Sequence, residues 1–248
     1  MTSVCLIGNS HLGALKLGWP SIATDFPEME LDFYASAGDS LAFSVFGNRL
    51  EPATEDIRKR LAYTSQKSGD IEATYDAYVV CGLLLSFVRA MNIFRVTLTE
   101  LRNSGQAYKA ITATATDRIY DSLRSLLFAD VLTKLREITK APAYIIATPL
   151  PALERHPEIE KFGGYVKSAV LPAYHVACER IAHDLHATFL PQPSETTGPV
   201  ELTTQKEFYL LPPENVAAEK AVHTHMNAAF GAIVLKDALE RVRAISSR

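Results

Sequence analysis

Two polar segments, one near each end of the chain, contain residue types that could carry out nucleophilic catalysis. Ser10 lies in Gly8-Asn9-Ser10-His11, directly after a short apolar run, and His225 lies in the segment Thr224–Gly231. A serine hydroxyl becomes a competent nucleophile when a neighbouring imidazole takes its proton. Ser10 and His225 are therefore the candidate nucleophile and general base, provided that the fold brings them together.

Each candidate residue also has a purely structural interpretation. Ser10 could serve only as the N-cap of a helix, because Ser and Asn are the commonest residues at that position. His225 could be an ordinary surface residue, and Asn227 could be a plain cap of the last helix. A Ser between a strand and a helix, however, lies where free backbone N–H groups and the helix dipole favour developing negative charge.

Short apolar runs alternate with longer amphipathic stretches, which predicts alternating strands and helices. The predicted strands are Ser3–Gly8, Leu31–Ala35, Ala77–Leu84, Ala143–Thr148 and Thr188–Leu190. The predicted helices are Ser10–Leu17, Phe87–Arg102, Asp117–Thr139, Tyr165–His186 and one that begins near Met226. This order indicates a parallel sheet with helices on both faces, in which functional groups gather beyond the carboxyl ends of the strands.

The composition is typical of a folded globular protein. The chain has 248 residues, of which 48% are hydrophobic, and a formal net charge of −3. We expect one domain over residues 1–248, because the loop-rich stretches Gly47–Gly69 and Pro191–Glu214 are too short and too little biased to be domain linkers. The near-neutral charge argues against a nucleic-acid partner, and no apolar run approaches the length of a membrane span.

The cysteines and the N-terminus favour a cytoplasmic protein. Cys5, Cys81 and Cys178 are widely spaced and form no CxxC pair, and the first residues do not have the pattern of a secretory signal. The sequence contains no dinucleotide-binding fingerprint, phosphate-binding loop or convincing zinc-ligand set. We therefore expect reduced cysteines and neither a metal nor a cofactor.

Together the two polar segments resemble the SGNH (GDSL-like) hydrolase superfamily. Leu6-Ile7-Gly8-Asn9-Ser10-His11 is similar to the opening block of that family, an apolar strand followed by Gly-Asp/Asn-Ser. His225-x-Asn227-x-x-Phe230-Gly231 is similar to the closing block, in which the catalytic His precedes the C-terminal helix. The resemblance implies a flavodoxin-like three-layer α/β sandwich with a central, mostly parallel sheet of about five strands.

The resemblance also implies further site residues. Gly38, in Ala37-Gly38-Asp39-Ser40 after the second strand, is placed like the oxyanion-hole glycine of the family. The backbone N–H groups of Ser10 and Gly38 would then bind the oxyanion. The other positions expected to bind the oxyanion or the substrate are Asn9, His11, Gly82 and Asn227.

Two positions depart from the family pattern. Leu84 stands where the family has an Asn that donates to the oxyanion, and Val222 stands where it has the acid that orients the His. A backbone carbonyl, a water molecule or a carboxylate from elsewhere could take over the role of the acid. Glu219 is the first candidate among the carboxylates and Glu214 is another.

The implied activity is that of a serine esterase, which removes an acyl group, often acetyl, from a small molecule or a carbohydrate. An acyltransferase would use the same serine, with an alcohol in place of water. A non-catalytic descendant that binds a ligand in the old cleft is the alternative from a different functional class. The sequence leaves the oligomeric state open.

Overall fold

The computed structural model describes residues 1–38, 41–103, 108–153, 156–157, 159, 164, 166–198, 202–210 and 225–246. Its strands are β1 Thr2–Gly8, β2 Met29–Ala35, β3 Phe43–Phe46, β4 Arg49–Pro52, β5 Ile71–Glu72, β6 Ala77–Cys81, β7 Ala143–Ile146 and β8 Thr188–Leu190. Its α-helices are α1 Leu12–Ile22, α2 Glu55–Ser65, α3 Phe87–Asn103, α4 Tyr108–Arg124, α5 Leu127–Ile138, α6 Leu171–Asp184 and α7 Ala228–Ser246.

A parallel sheet forms the centre of the fold. In the part of the chain that the structure describes, five strands pair in the order β2-β1-β6-β7-β8, and every neighbouring pair is parallel. This is the flavodoxin-like strand order, in which the chain reverses direction across the sheet beside β1. The predicted α/β class and the predicted parallel sheet are therefore confirmed.

Helices cover both faces of this sheet, which explains the continuous apolar sequence of its strands. Alternate residues of β1 point to opposite faces: Leu6 packs with α1 and α7, whereas Ile7 packs with helices on the other side, among them α2, α3, α5 and α6. Both side chains are fully buried. The sheet is thus the middle layer of three.

Helices α1 and α7 touch backbone to backbone at two glycines. A Cβ atom at Gly18 would lie 2.2 Å from the Ala232 nitrogen, and one at Gly231 would lie 1.8 Å from the Ala14 oxygen. No residue larger than glycine fits at either position without moving a helix. Because α1 follows Ser10 and α7 follows His225, this contact fixes the relative position of the two polar segments.

Several predicted boundaries were wrong. The predicted loop Gly47–Gly69 contains β4 and α2, and the helix predicted over Asp117–Thr139 is divided between α4 and α5 at an extended Leu126. Strand β4 pairs with β3 and β5 in a separate antiparallel sheet. The strand predicted over Ala77–Leu84 ends at Cys81, because the next three residues have positive φ.

The helix predicted over Tyr165–His186 consists of α6 and a preceding π-helical turn, Val166–Val170. Among the described residues, no helix combines the length and the apolar character needed to cross a membrane.

Candidate active site

Asn9 organises the turn from β1 into α1. Its side-chain Oδ1 accepts a hydrogen bond from the His11 N–H (3.2 Å), and its carbonyl oxygen accepts one from the Leu12 N–H (3.0 Å). The buried side chain also lies against Gly82, where a Cβ atom would be 2.5 Å from Asn9 Oδ1. Among the residues that the structure describes, no side chain caps α1 by hydrogen bonding, so the interpretation of Ser10 as an N-cap is wrong.

The backbone of His225 is held by a short antiparallel bridge to the segment 208–210. The Leu210 N–H donates to the His225 carbonyl oxygen (2.9 Å), and the Asn227 N–H donates to the Phe208 carbonyl oxygen (2.8 Å). Tyr209 in turn donates its hydroxyl to the Thr204 carbonyl oxygen (2.8 Å). The chain before α7 is therefore fixed on both sides of Met226.

Asn227 is a structural residue. Its Oδ1 accepts a hydrogen bond from the Phe230 N–H (3.1 Å), which caps α7, and its Nδ2 donates to the Glu207 carbonyl oxygen (2.7 Å). Both polar ends of the side chain are thus occupied by the main chain. The interpretation of Asn227 as a helix cap is therefore confirmed, and its role in substrate binding stays a prediction.

The two polar segments converge at the carboxyl end of β1. The Nε2 atom of His225 lies 2.9 Å from the Oγ atom of Ser10, although the residues are separated by 215 positions in the chain. This distance is within the range of about 2.6–3.2 Å that a general base requires. When the proton of the imidazole resides on Nδ1, the Ser10 hydroxyl donates to Nε2. Both residues are exposed to solvent.

The residues considered as partners of the His225 ring, Glu214 and Glu219, lie outside the described residues, as does Val222.

His11 places a second imidazole beside the first. The ring centroids of His11 and His225 are 5.7 Å apart. Burial, followed by the nearby His225, lowers the pKa of His11 to about 4. The buried Nδ1 of His11 has no hydrogen-bond partner among the described residues. His11 is therefore a neutral imidazole at neutral pH and adds no positive charge next to His225.

The backbone donors expected for an oxyanion differ in their availability. Within the described residues, the N–H groups of Ser10 and Gly38 have no hydrogen-bond partner. The Ser36 N–H donates to the Gly8 carbonyl oxygen (3.1 Å), which brings the loop before Gly38 to the end of β1. By contrast, the N–H of Gly82 donates to the Ile146 carbonyl oxygen (2.8 Å), so this group is not available to an oxyanion, and substrate binding at Gly82 stays a prediction. Asp39 and Ser40 lie outside the described residues.

The segment after β6 has an unusual backbone conformation. Gly82, Leu83 and Leu84 all have positive φ, at 76°, 48° and 72° respectively. Leucine is disfavoured there, and each such residue costs about 1–3 kcal/mol unless its surroundings compensate. Leu83 is fully buried, which offers that compensation, whereas Leu84 is half-buried and lines a cleft beside Ser10 and His225.

This cleft has a volume of about 780 Å³, within the range of about 300–1,000 Å³ that is usual for ligand sites. Its lining includes Asn9, His11 and Met226, which are next to Ser10 and His225, together with residues of α3 and of the segment after β7. Its wall contains several polar side chains that the sequence analysis missed: Ser86, Arg89, Asn92, Ser122, Thr148 and His156. Arg89 and Asn92 are one turn apart on α3, a spacing that an ordinary solvent-exposed helix face also shows.

The described residues contain no cluster of three or more His, Cys, Asp or Glu side chains that could hold a metal ion.

Comparisons with known proteins leave the family of the chain open. No protein-family model matches the sequence, and no curated protein matches it significantly. Among solved structures, the chain is similar to a putative acylhydrolase from Bacteroides fragilis NCTC 9343, with 10% sequence identity and a TM-score of 0.42. The match covers 100% of this chain and 88% of that chain. A likeness of this strength adds nothing to the description of the site.

Proposed function

We propose that the protein is a serine esterase-type hydrolase of the SGNH kind, in which Ser10 is the nucleophile and His225 the general base. The observation that carries this proposal is the 2.9 Å contact between Ser10 Oγ and His225 Nε2, at the carboxyl end of β1 and next to a cleft. The Ser10 side chain does not cap α1, and α7 is capped by Asn227 and not by His225. Helix capping therefore does not account for the positions of Ser10 and His225.

The reaction has two halves. In the first, Ser10 Oγ attacks the ester carbonyl carbon while His225 Nε2 takes the hydroxyl proton, and the same proton then goes to the departing alcohol oxygen. In the second, His225 takes a proton from a water molecule, whose oxygen attacks the acyl-serine. The serine leaves with that proton and the acid is released. An acceptor alcohol in place of water would make the protein an acyltransferase.

The tetrahedral intermediates carry an oxyanion that needs hydrogen-bond donors. The unpaired N–H groups of Ser10 and Gly38 are suited to this role, as the start of α1 also is through its dipole. His11 stays neutral, so it does not disfavour the imidazolium that forms on His225 during each attack.

One observation favours the non-catalytic alternative. Leu84 lines the cleft at the position where the family has an amide donor, so one donor to the oxyanion is missing. The loss of one such donor typically costs about 2.7–4 kcal/mol of transition-state stabilisation. A protein that only binds a ligand in this cleft would tolerate that change.

A panel of 4-nitrophenyl esters tests the proposal. We expect turnover of at least one short-chain ester by the wild-type protein and none above background by Ser10→Ala or His225→Ala. The matched controls are Ser21→Ala, on α1 but turned away to bond the Gly18 carbonyl, and His183→Asn, an exposed histidine on α6. Equal turnover in wild type and Ser10→Ala would exclude Ser10 as the nucleophile.

A further inference from the structure

The described lining of the cleft contains basic side chains and no acidic ones. Its described lining includes one arginine, Arg89, and two histidines, His11 and His156, but no aspartate or glutamate. The protein as a whole has a formal net charge of −3, so the lack of carboxylates among the described lining residues is not a consequence of composition.

Arg89 contributes a guanidinium group to the described lining of this cleft. Among the described residues, it forms no hydrogen bond and no ion pair, whereas Arg118 on the adjacent α4 pairs with Glu100 and Arg180 on α6 pairs with Asp117. Asn92, one turn further along α3, also lines the cleft and makes no side-chain hydrogen bond within the described residues. An arginine and an amide thus present unused donors to the same space.

The position of Arg89 near the start of α3 adds to the attraction of an anion. It is the third residue of a helix of 17 residues, and Ser86 and Val88 beside it also line the cleft. The first turn of a helix carries the positive end of the helix dipole and N–H groups without intrahelical partners. Both the side chain and the helix end therefore favour an anion at this place.

We infer that the cleft accepts an ester that carries an anionic group, a carboxylate or a phosphate, and that Arg89 binds this group. The inference rests on the proposed esterase function and adds the substrate class to it. The planar guanidinium binds either anion through two parallel hydrogen bonds, which fixes the direction of the substrate as well as its charge. Ser10 and His225 then act on the ester at the other end of the cleft.

Two esters that differ only in the anion give the first test. Mono-4-nitrophenyl glutarate and 4-nitrophenyl valerate have acyl chains of equal length, with a terminal carboxylate in one and a methyl group in the other. We expect Arg89→Gln to lower kcat/KM for the glutarate ester about tenfold to a hundredfold, the usual effect of losing a hydrogen bond to a charged group. For the valerate ester, kcat/KM should stay unchanged.

Arg95→Gln is the matched control, because Arg95 is exposed on the same helix and does not line the cleft. Arg89→Lys should restore part of the activity toward the glutarate ester, since it keeps the charge but not the bidentate geometry. Equal losses on both esters in Arg89→Gln, or no loss on either, would overturn the inference while leaving the role of Ser10 intact.

A binding measurement separates this inference from the proposed reaction. Glutarate and inorganic phosphate are titrated by calorimetry into wild-type protein, Ser10→Ala and Arg89→Gln. We expect binding of at least one anion to the first two proteins, weakened at least tenfold in Arg89→Gln, and the tighter anion identifies the class. If an anion binds but the protein hydrolyses no ester, the result would support the anion site and contradict the proposed esterase function. Equal binding of the anions to wild type and Arg89→Gln, or no binding, would contradict the anion site.

Discussion

Ser10 contributes a hydroxyl to the site and little to the stability of the helix that follows it. Asn9 forms the turn into α1, while the contact of Ser10 Oγ is with the exposed His225. We expect Ser10→Ala to lower the free energy of unfolding by no more than about 0.5–1.5 kcal/mol, the net value of one hydrogen bond, while abolishing hydrolysis. Denaturant unfolding and an ester assay on the same preparation check both parts. Asn9→Ala, in which the buried turn is lost, should destabilise more than Ser10→Ala, and the reverse order would contradict this assignment of roles.

His11 makes the stability of the protein depend on pH. Its pKa in the folded state is about 4, below the ordinary value of 6.5, so the unfolded chain binds the proton more readily. The contribution of the neutral, partly buried ring is present above pH 6.5 and is lost as the pH falls toward 4. The loss amounts to about 3 kcal/mol over that window.

Replacement of His11 by a residue that does not titrate should remove its contribution to the dependence of unfolding free energy on pH. We expect His11→Phe to lose less stability between pH 7 and pH 4 than the wild type, by up to about 3 kcal/mol. Urea unfolding at a series of pH values measures it, with His183→Asn as the control for removing an exposed histidine. Identical slopes in wild type and His11→Phe would show that His11 does not carry the effect.

Leu84 combines an unfavourable backbone conformation with an apolar side chain in the lining of the cleft. Asparagine tolerates positive φ better than leucine and would supply the missing donor. We therefore expect Leu84→Asn to raise kcat for ester hydrolysis about tenfold or more and to leave stability equal or slightly higher. Leu84→Gly is the matched control, because it relieves the backbone without adding an amide. Equal kcat values in the two variants would mean that the amide does not reach the oxyanion.

At the scale of elements, the crossing of α1 and α7 positions Ser10 and His225. Gly231→Ala would place a methyl group on the Ala14 carbonyl, and the helices would have to separate. Overpacking of this kind usually costs about 1–3 kcal/mol, and here it should also lower kcat, because α7 follows directly after the segment that holds His225. Thermal unfolding and the ester assay measure the two effects.

Gly13→Ala is the control within α1, because a Cβ atom there meets nothing within 4 Å. It should stabilise the protein by about 0.5–1 kcal/mol, the usual helical advantage of alanine over glycine, and leave kcat unchanged. If Gly231→Ala kept full activity and stability, the close contact of the two helices would not be what positions the site.

The central sheet could be predicted because its strands are buried on both faces, so that runs such as Val4–Ile7 are apolar without interruption. Helix α2 could not be recognised in the same way. Its buried residues are only Ile57, Leu61 and Ser65, and the many charged residues between them give the segment a composition that is also common in loops. The division between α4 and α5 leaves no local signal either, because apolar residues continue through Leu126 and Leu127.

For the candidate site, the sequence motifs indicated that Ser10 and His225 lie close together, but they did not indicate the hydrogen-bond partners of the other predicted site residues. The resemblance that paired Ser10 with His225 also assigned Gly82 and Asn227 to the ligand, whereas their polar groups bond to the main chain at Ile146, Glu207 and Phe230. Arg89 was missed as a cleft residue because only tertiary packing brings α3 to the cleft, and no sequence pattern marks that packing.

At the scale of the whole molecule, the site depends on contacts between distant parts of the chain. Gln192, after β8, accepts a hydrogen bond from the Leu150 N–H (2.8 Å) and donates one to Thr204 (3.2 Å). Thr204 also donates its hydroxyl to the Leu150 carbonyl oxygen (2.8 Å), and Tyr209 connects this segment to the bridge that holds His225. The wall of the cleft after β7 and the backbone of His225 are thus parts of one hydrogen-bonded network.

The central claim is that Ser10 is a nucleophile activated by His225, and covalent labelling tests it most directly. Folded protein is incubated with a fluorophosphonate, and the site of modification is identified by mass spectrometry of peptides. We expect one adduct per chain, on Ser10, absent in Ser10→Ala, strongly slowed in His225→Ala and unaffected in Ser21→Ala. Absence of any adduct on Ser10 in folded wild-type protein, or labelling at an equal rate in His225→Ala, would contradict the account.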